Sequence, residues 1–160
     1  MRKILTIVIL WTIMASCSKE KGNTQTDKDL VYNEVKDAIN NSIAWAKTKD
    51  FNLLYSIIND DSSYLEVHPE NNVIKGFNEF KRNEELWSSP DFKHVGYKTS
   101  DLTITFSKSG DVAWFYCRLD DFNSWKDQPM NWENVRWTGI LENINGSWRM
   151  MQGHFSHPLE

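Results

Sequence analysis

The chain has 160 residues, a formal charge of −4 and an aromatic content of 13%, including eight Trp. That length holds one ordinary domain with or without a tail, and the aromatic content excludes wholesale disorder. The mild acidity argues against a nucleic-acid module, which carries a basic stripe, and two Cys are too few for a disulfide framework or a four-thiolate zinc site.

The chain starts with Met1, Arg2 and Lys3, followed by an apolar run from Ile4 to Met14 and the small residues Ala15 and Ser16 before Cys17. The run is shorter than the roughly 20 residues that cross a bilayer, so residues 1–16 read as a signal peptide rather than a span. Met14-Ala15-Ser16-Cys17 resembles the bacterial lipobox. The resemblance implies cleavage before Cys17 and lipid on its thiol; the alternative is a plain secretory signal with an incidental Cys. Cleavage removes Arg2 and Lys3 and no acid, so the charge moves from −4 to −6. Ser18 rather than Asp follows the Cys, which resembles release toward the outer membrane in enterobacterial lipoproteins, and Ser18-Lys19-Glu20 resembles surface-export signals of some Bacteroidetes lipoproteins. Ser18 to Asp29 is polar throughout, so residues 17–29 read as a lipidated Cys and flexible tether, and residues 30–160 as the domain. The expected location is the bacterial cell envelope, anchored through Cys17.

Within the domain, Val31, Val35, Ala38, Ile39, Ser42, Ile43 and Ala46 recur at three and four residues and predict a helix over Leu30–Thr48, capped by Asp27 or Asp29. A second short helix follows over Asp50–Ile58. Ser63–His68 alternates, with Tyr64 and Glu66 on one face and Leu65 and Val67 on the other. Pro69–Asn72 is a loop. Gly76–Trp87 reads as a third helix, ended by Ser88-Ser89-Pro90. From Phe92 the helical rhythm stops. Strands are predicted over Phe92–Phe106, Val112–Asp120, Trp132–Glu142 and Ser147–Phe155, with a polar loop over Asp121–Asn131 and an Asn-Gly turn at Asn145-Gly146. Asp120-Asp121 reads as a solvated strand end. Helices followed by hairpin-linked strands indicate an α+β domain with an antiparallel sheet.

This order, with Trp132–Glu142 running into Gly146-Ser147-Trp148 and ending in His154-Phe155-Ser156, resembles the SnoaL-like branch of the nuclear transport factor 2-like superfamily. The resemblance spans Leu30 to Pro158. It implies a cone of three N-terminal helices packed in a strongly curved antiparallel sheet, open at one end, usually homodimeric and often holding a pocket. Its members include isomerases, cyclases, dehydratases, oligomerisation modules and binders, so it implies a fold more than a function.

The strands alternate with a period of two. One set contains Trp114, Tyr116, Arg136, Thr138, Gln152 and His154; the other contains Phe115, Cys117, Val135, Trp137, Leu141 and Phe155. Both are largely apolar. The resemblance favours the first set as cavity-facing. An Arg on a covered strand needs a partner, either an anionic ligand or an internal carboxylate such as Glu66 or Glu84. His154 is an acid/base candidate, or a hydrogen-bonded core His. Trp45, Tyr64 and Trp87 are candidate pocket walls, or plain core. Trp125 and Trp132 flank the polar loop, as a rim or as anchors. Cys117 reads as a buried, inert thiol.

His68 and His94 lack a second His or Cys at ligand spacing, and His154 and His157 fall on opposite faces, so no metal and no cofactor are expected. There is no Gly-rich phosphate loop and no Gly-x-Ser-x-Gly. Three readings follow. The cone binds a small, partly apolar organic molecule with Arg136 and His154 at its base. Alternatively it is an isomerase, dehydratase or cyclase with His154 as acid/base and Arg136 or Tyr116 at an oxyanion; Tyr64, Tyr116 and Glu66 are the residue types that ketosteroid-isomerase-like members use. Or it is an interaction module that dimerises through the outer sheet face.

Overall fold

A computed structural model describes residues 25–158. The signal peptide, the lipobox and Cys17 therefore lie outside the described residues. Helix α1 spans Gln25–Ala44 and continues into a 3-10 turn over Trp45–Lys47. It begins before Leu30, so the predicted tether overruns the start of the helix. A polar sequence is no bar to helix here: Gln25 to Leu30 are solvent-exposed, Asp27 sits in the first turn, and the Gln25 side-chain amide donates to Asp29 one turn on at 2.7 Å. The inward stripe is Val35, Ala38, Ile39 and Ser42.

Helix α2 (Phe51–Ile57) is capped by Asp50, whose carboxylate accepts the Leu53 backbone N–H at 2.9 Å. Strands β1 (Leu65–Val67) and β2 (Val73–Lys75) form a small hairpin. The predicted third helix is two, α3 (Phe77–Lys81) and α4 (Glu84–Ser88). They part at Asn83, whose side-chain amide bonds back to the Phe80 carbonyl at 3.1 Å and competes with the helical ladder.

The sheet is completed by β3 (Phe92–Phe106), β4 (Val112–Trp125), β5 (Gln128–Pro129), β6 (Trp132–Ile144) and β7 (Ser147–Ser156). Its order is β2-β1-β7-β6-β4-β3, with β5 on β4. It is mixed rather than purely antiparallel, because β1 runs parallel to β7, placing Glu66 beside Gly153. The region predicted as a polar loop is mostly strand. Lys126 and Asp127 both take left-handed φ, 50° and 61°, and close a tight hairpin between β4 and β5.

Four register shifts curl the sheet into a half-barrel around the helices. β3 carries an extra residue at Val95 and another near Asp101, β6 one near Asn134, and β7 one at Met151. Asp101 and Asn134 take φ of 55° and 56°. Each extra residue switches side-chain parity, so Met150 and Phe155 both face inward although an odd number of positions separates them.

The core fills the concave side: Ala113, Phe115, Cys117 and Leu119 of β4, Val135, Trp137 and Leu141 of β6, and Trp148, Met150 and Phe155 of β7, packed against α1 and α2. This is the opposite set from the one expected to face the cavity. Trp114, Tyr116, Arg136, Thr138, Gln152 and His154 lie on the convex face. Trp114 is 47% exposed, and Arg136 and His154 are also exposed. Gly139 lies where β6 packs closest on its neighbours: a Cβ there would meet a Phe115 ring carbon at 2.5 Å and the Gln152 carbonyl oxygen at 2.7 Å.

Candidate functional site

The half-barrel and the helices enclose a cavity of about 330 Å³. Trp45 and Leu54 close it from the first helices, Phe80 and Trp87 from α3 and α4, and Trp132, Trp137 and Phe155 from the sheet. Half-exposed or exposed Asn72, Leu86 and Met130 stand at its mouth. The volume lies at the low end of the roughly 300–1,000 Å³ found for small-molecule sites.

Alternation on β1 and its flanks delivers one polar row. Tyr64, Glu66 and His68 are two residues apart and all line the cavity. The Tyr64 hydroxyl donates to Glu66 Oε2, and His68 Nε2 meets Glu66 Oε1 at 2.5 Å, so one carboxylate ties phenol and imidazole together. Burial first, and then the adjacent Glu66 charge and hydrogen bond, push the Tyr64 phenol well above its ordinary range. His68 is framed by aromatic rings, with Trp132 at 5.2 Å and Phe155 at 5.6 Å between centroids.

The far end of β4 delivers the second polar group, Asp121 and Asn123. The Asn123 amide donates to Asp121 Oδ2 at 2.8 Å, while Asn123 Oδ1 meets His94 Nδ1 at 3.0 Å. Asp121 Oδ1 is buried, lies 3.4 Å from that same His94 nitrogen and accepts no hydrogen bond. Burial raises the Asp121 carboxyl above its ordinary value, against the opposing pull of the Asn123 amide and His94. On the cavity floor, the fully buried Trp137 indole N–H likewise has no partner.

Of the residues expected to line the cone, Trp45, Tyr64 and Trp87 line the cavity. Trp114, Tyr116, Arg136, Thr138, Gln152 and His154 do not, and the expected base of Arg136 and His154 is corrected accordingly. Arg136 pairs with neither Glu66 nor Glu84; its guanidinium donates to the His157 carbonyl at 2.9 Å. Glu84 instead accepts from the Tyr55 hydroxyl at 2.6 Å. The acid/base role considered for His154, and the oxyanion role for Tyr116 or Arg136, have no cavity to act in. Trp132 lines the cavity, whereas Trp125 packs against the core edge with Lys126 over its ring.

Sequence reasoning missed Asp121, Asn123, His68 and Trp137. Asp121 reads locally as a solvated strand end, yet its side chain is 19% exposed. The Tyr64-x-Glu66-x-His68 alternation was the available signal for the first row. Asp121 carried none, because the strand extension that turns it inward is invisible locally. Cys117 is fully buried, and burial pushes its thiol up to about 12. Among the described residues, no group of three or more His, Cys, Asp or Glu is placed to hold a metal ion, and no helix is long and apolar enough to cross a membrane.

Comparison with known proteins agrees with this architecture. Among solved structures, a candidate dehydratase of the NTF2-like family from Streptomyces avermitilis superposes with a TM-score of 0.70 at 18% identity, covering 83% of this chain and 99% of that one. An NTF2-like superfamily protein from Salmonella enterica gives 0.67 at 17% identity, covering 83% and 94%. A candidate scytalone dehydratase from Novosphingobium aromaticivorans gives 0.67 at 12% identity, covering 84% and 89%. At these identities the likeness is one of fold. No curated protein matches the sequence. The sequence model of the SnoaL-like domain matches residues 35–160, nearly the whole curled sheet and its helices, and the chain therefore belongs to the SnoaL-like family with an NTF2-like cone fold.

Proposed function

We propose that this chain is a bacterial envelope protein, anchored by lipid on Cys17, whose cone binds a small, partly apolar organic molecule. The observation that carries the binding reading is the cavity itself: aromatic walls on nearly every side, with Tyr64, Glu66, His68, Asp121 and Asn123 supplying a few polar groups. Native mass spectrometry of the purified chain tests it. A small molecule should co-purify and be displaced in Ala46→Phe, which fills the cavity from the wall; retention of the same molecule by that variant would reject the reading. The anchor is tested separately: Cys17→Ser should abolish incorporation of labelled fatty acid and move the protein from the membrane fraction to the soluble one.

A second reading is proton transfer on the bound molecule, favoured by the buried Asp121 carboxyl with its raised pKa and by the Tyr64–Glu66–His68 row in the same cavity. It predicts solvent deuterium at carbon in the co-purifying molecule after incubation in D2O, and none with Asp121→Asn. The convex face supports a further element, a second copy of the chain. Trp114 and Ile140, 47% and 38% exposed, are cross-strand neighbours there, and Gln152 lies beyond Ile140. Trp114→Glu should convert a dimer to a monomer in analytical ultracentrifugation, and a wild-type monomer would refute the dimer.

A further inference from the structure

We infer that the molecule this cavity takes is an organic cation, an ammonium group carried on an aromatic or otherwise flat apolar body. The inference rests on the reading that the cavity is a small-molecule site and names the chemistry of its occupant.

Three observations converge. First, the lining holds two carboxylates, Glu66 and Asp121, and no Lys or Arg. The cations near it are committed elsewhere: Lys49 donates to the Ser89 carbonyl at 2.6 Å, and Arg149 to the Tyr55 and Ile58 carbonyls at 2.8 and 3.2 Å. Second, the two carboxylates are not equivalent. Glu66 is met on both oxygens, by the Tyr64 hydroxyl and by His68. Asp121 is met on one only; Oδ1 is buried without a donor, and the His94 nitrogen beside it is engaged by Asn123. Oδ1 has no surface in the cavity, so an occupant meets Asp121 through the 19% of its side chain that is exposed; an ammonium there brings the opposite charge, and a ligand carboxylate like charge.

Third, the walls are rings. Trp45, Trp87, Phe80, Trp132 and Phe155 present π-faces and edges around the space, and ring faces attract cations, more so where water is excluded. Burial of Asp121 acts in the same direction, since a neighbouring cation relieves the cost of its charge.

The test uses three size-matched probes with the purified full-length chain and isothermal titration calorimetry at neutral pH: tryptamine, tryptophol and indole-3-acetate. Tryptamine should bind at least tenfold tighter than tryptophol, and indole-3-acetate weakest. Asp121→Asn, nearly isosteric, should erase the preference for tryptamine while leaving tryptophol affinity within about twofold. The melting curve of Asp121→Asn shows whether the fold is kept. Equal or tighter binding of indole-3-acetate or tryptophol would overturn the cation inference while leaving the cavity reading standing. Binding of none of the three, with a folded protein, would overturn both.

Discussion

Replacing Gly139 by Ala tests which face of the sheet is concave. A Cβ at Gly139 would stand 2.5 Å from a Phe115 ring carbon and 2.7 Å from the Gln152 carbonyl oxygen. The ring is held by Trp137, edge-on at 4.9 Å between centroids, and the carbonyl belongs to the β6–β7 ladder. Neither can give without moving the core or a strand. Gly96 supplies the control: it also lies in a strand, and a Cβ there meets nothing within 4 Å. Both substitutions restrict the unfolded chain alike, a gain of about 0.4–1 kcal/mol that cancels in the difference. What remains is the overpacking cost, about 1–3 kcal/mol and toward the upper end because one contact is backbone. At an unfolding entropy of about 2.1 cal/mol/K per residue, a domain of this size loses about 3–4 °C per kcal/mol, so Gly139→Ala should melt about 7–10 °C below Gly96→Ala. Thermal unfolding followed by circular dichroism, with urea titration as a second measure, reads the difference. Equal melting temperatures would mean that Gly139 does not face a packed interior, and the assignment of the concave face would fall.

Other substitutions probe the site and its frame. The Asp121 carboxyl is raised in the folded protein, so the native state holds its proton more tightly than the unfolded chain, and stability is lost as pH rises through the folded value. The melting temperature of Asp121→Asn relative to wild type should therefore climb from below the ordinary carboxylate value of 3.8 to neutral pH; a flat or falling difference contradicts the burial argument. In the Cys17→Ser chain, whose one remaining thiol is Cys117, that fully buried thiol, pushed up to about 12, should resist a thiol reagent at pH 8 in the native protein and react at once in denaturant. Rapid native labelling would place Cys117 outside the core. Asp50→Ala removes the cap of α2 and should cost about 1 kcal/mol in urea unfolding, with Asn restoring most of it.

The elements were legible locally because each is encoded locally. Apolar spacing of three and four residues places α1 and α2, and β-branched and aromatic runs between turn residues place the four long strands. The Tyr64–Glu66 face was legible from alternation, and Trp45 and Trp87 from helical spacing. The polar stretch at the start of α1 misled because an exposed helix end tolerates the same composition as a tether. Asn83 misled in the other direction, since a back-bond from a side chain to the Phe80 carbonyl leaves no mark on apolar periodicity.

The amino-acid sequence by itself determined an α+β domain of SnoaL-like type, the succession of its four long strands along the chain, and the division of each strand into two alternating sets. Only the tertiary structure decided which set faces inward. Both sets are apolar enough to be buried, so pattern alone leaves them nearly degenerate: Trp114, Tyr116 and Ile140 read much like Phe115, Trp137 and Leu141. The extra residues at Val95, Asp101, Asn134 and Met151 break the degeneracy by setting the direction of curl and switching parity within strands. That choice moved Arg136 and His154 to the convex face and brought Asp121, Asn123 and Trp137 to the cavity, turning a site expected to hold a cation of its own into one lined by carboxylates.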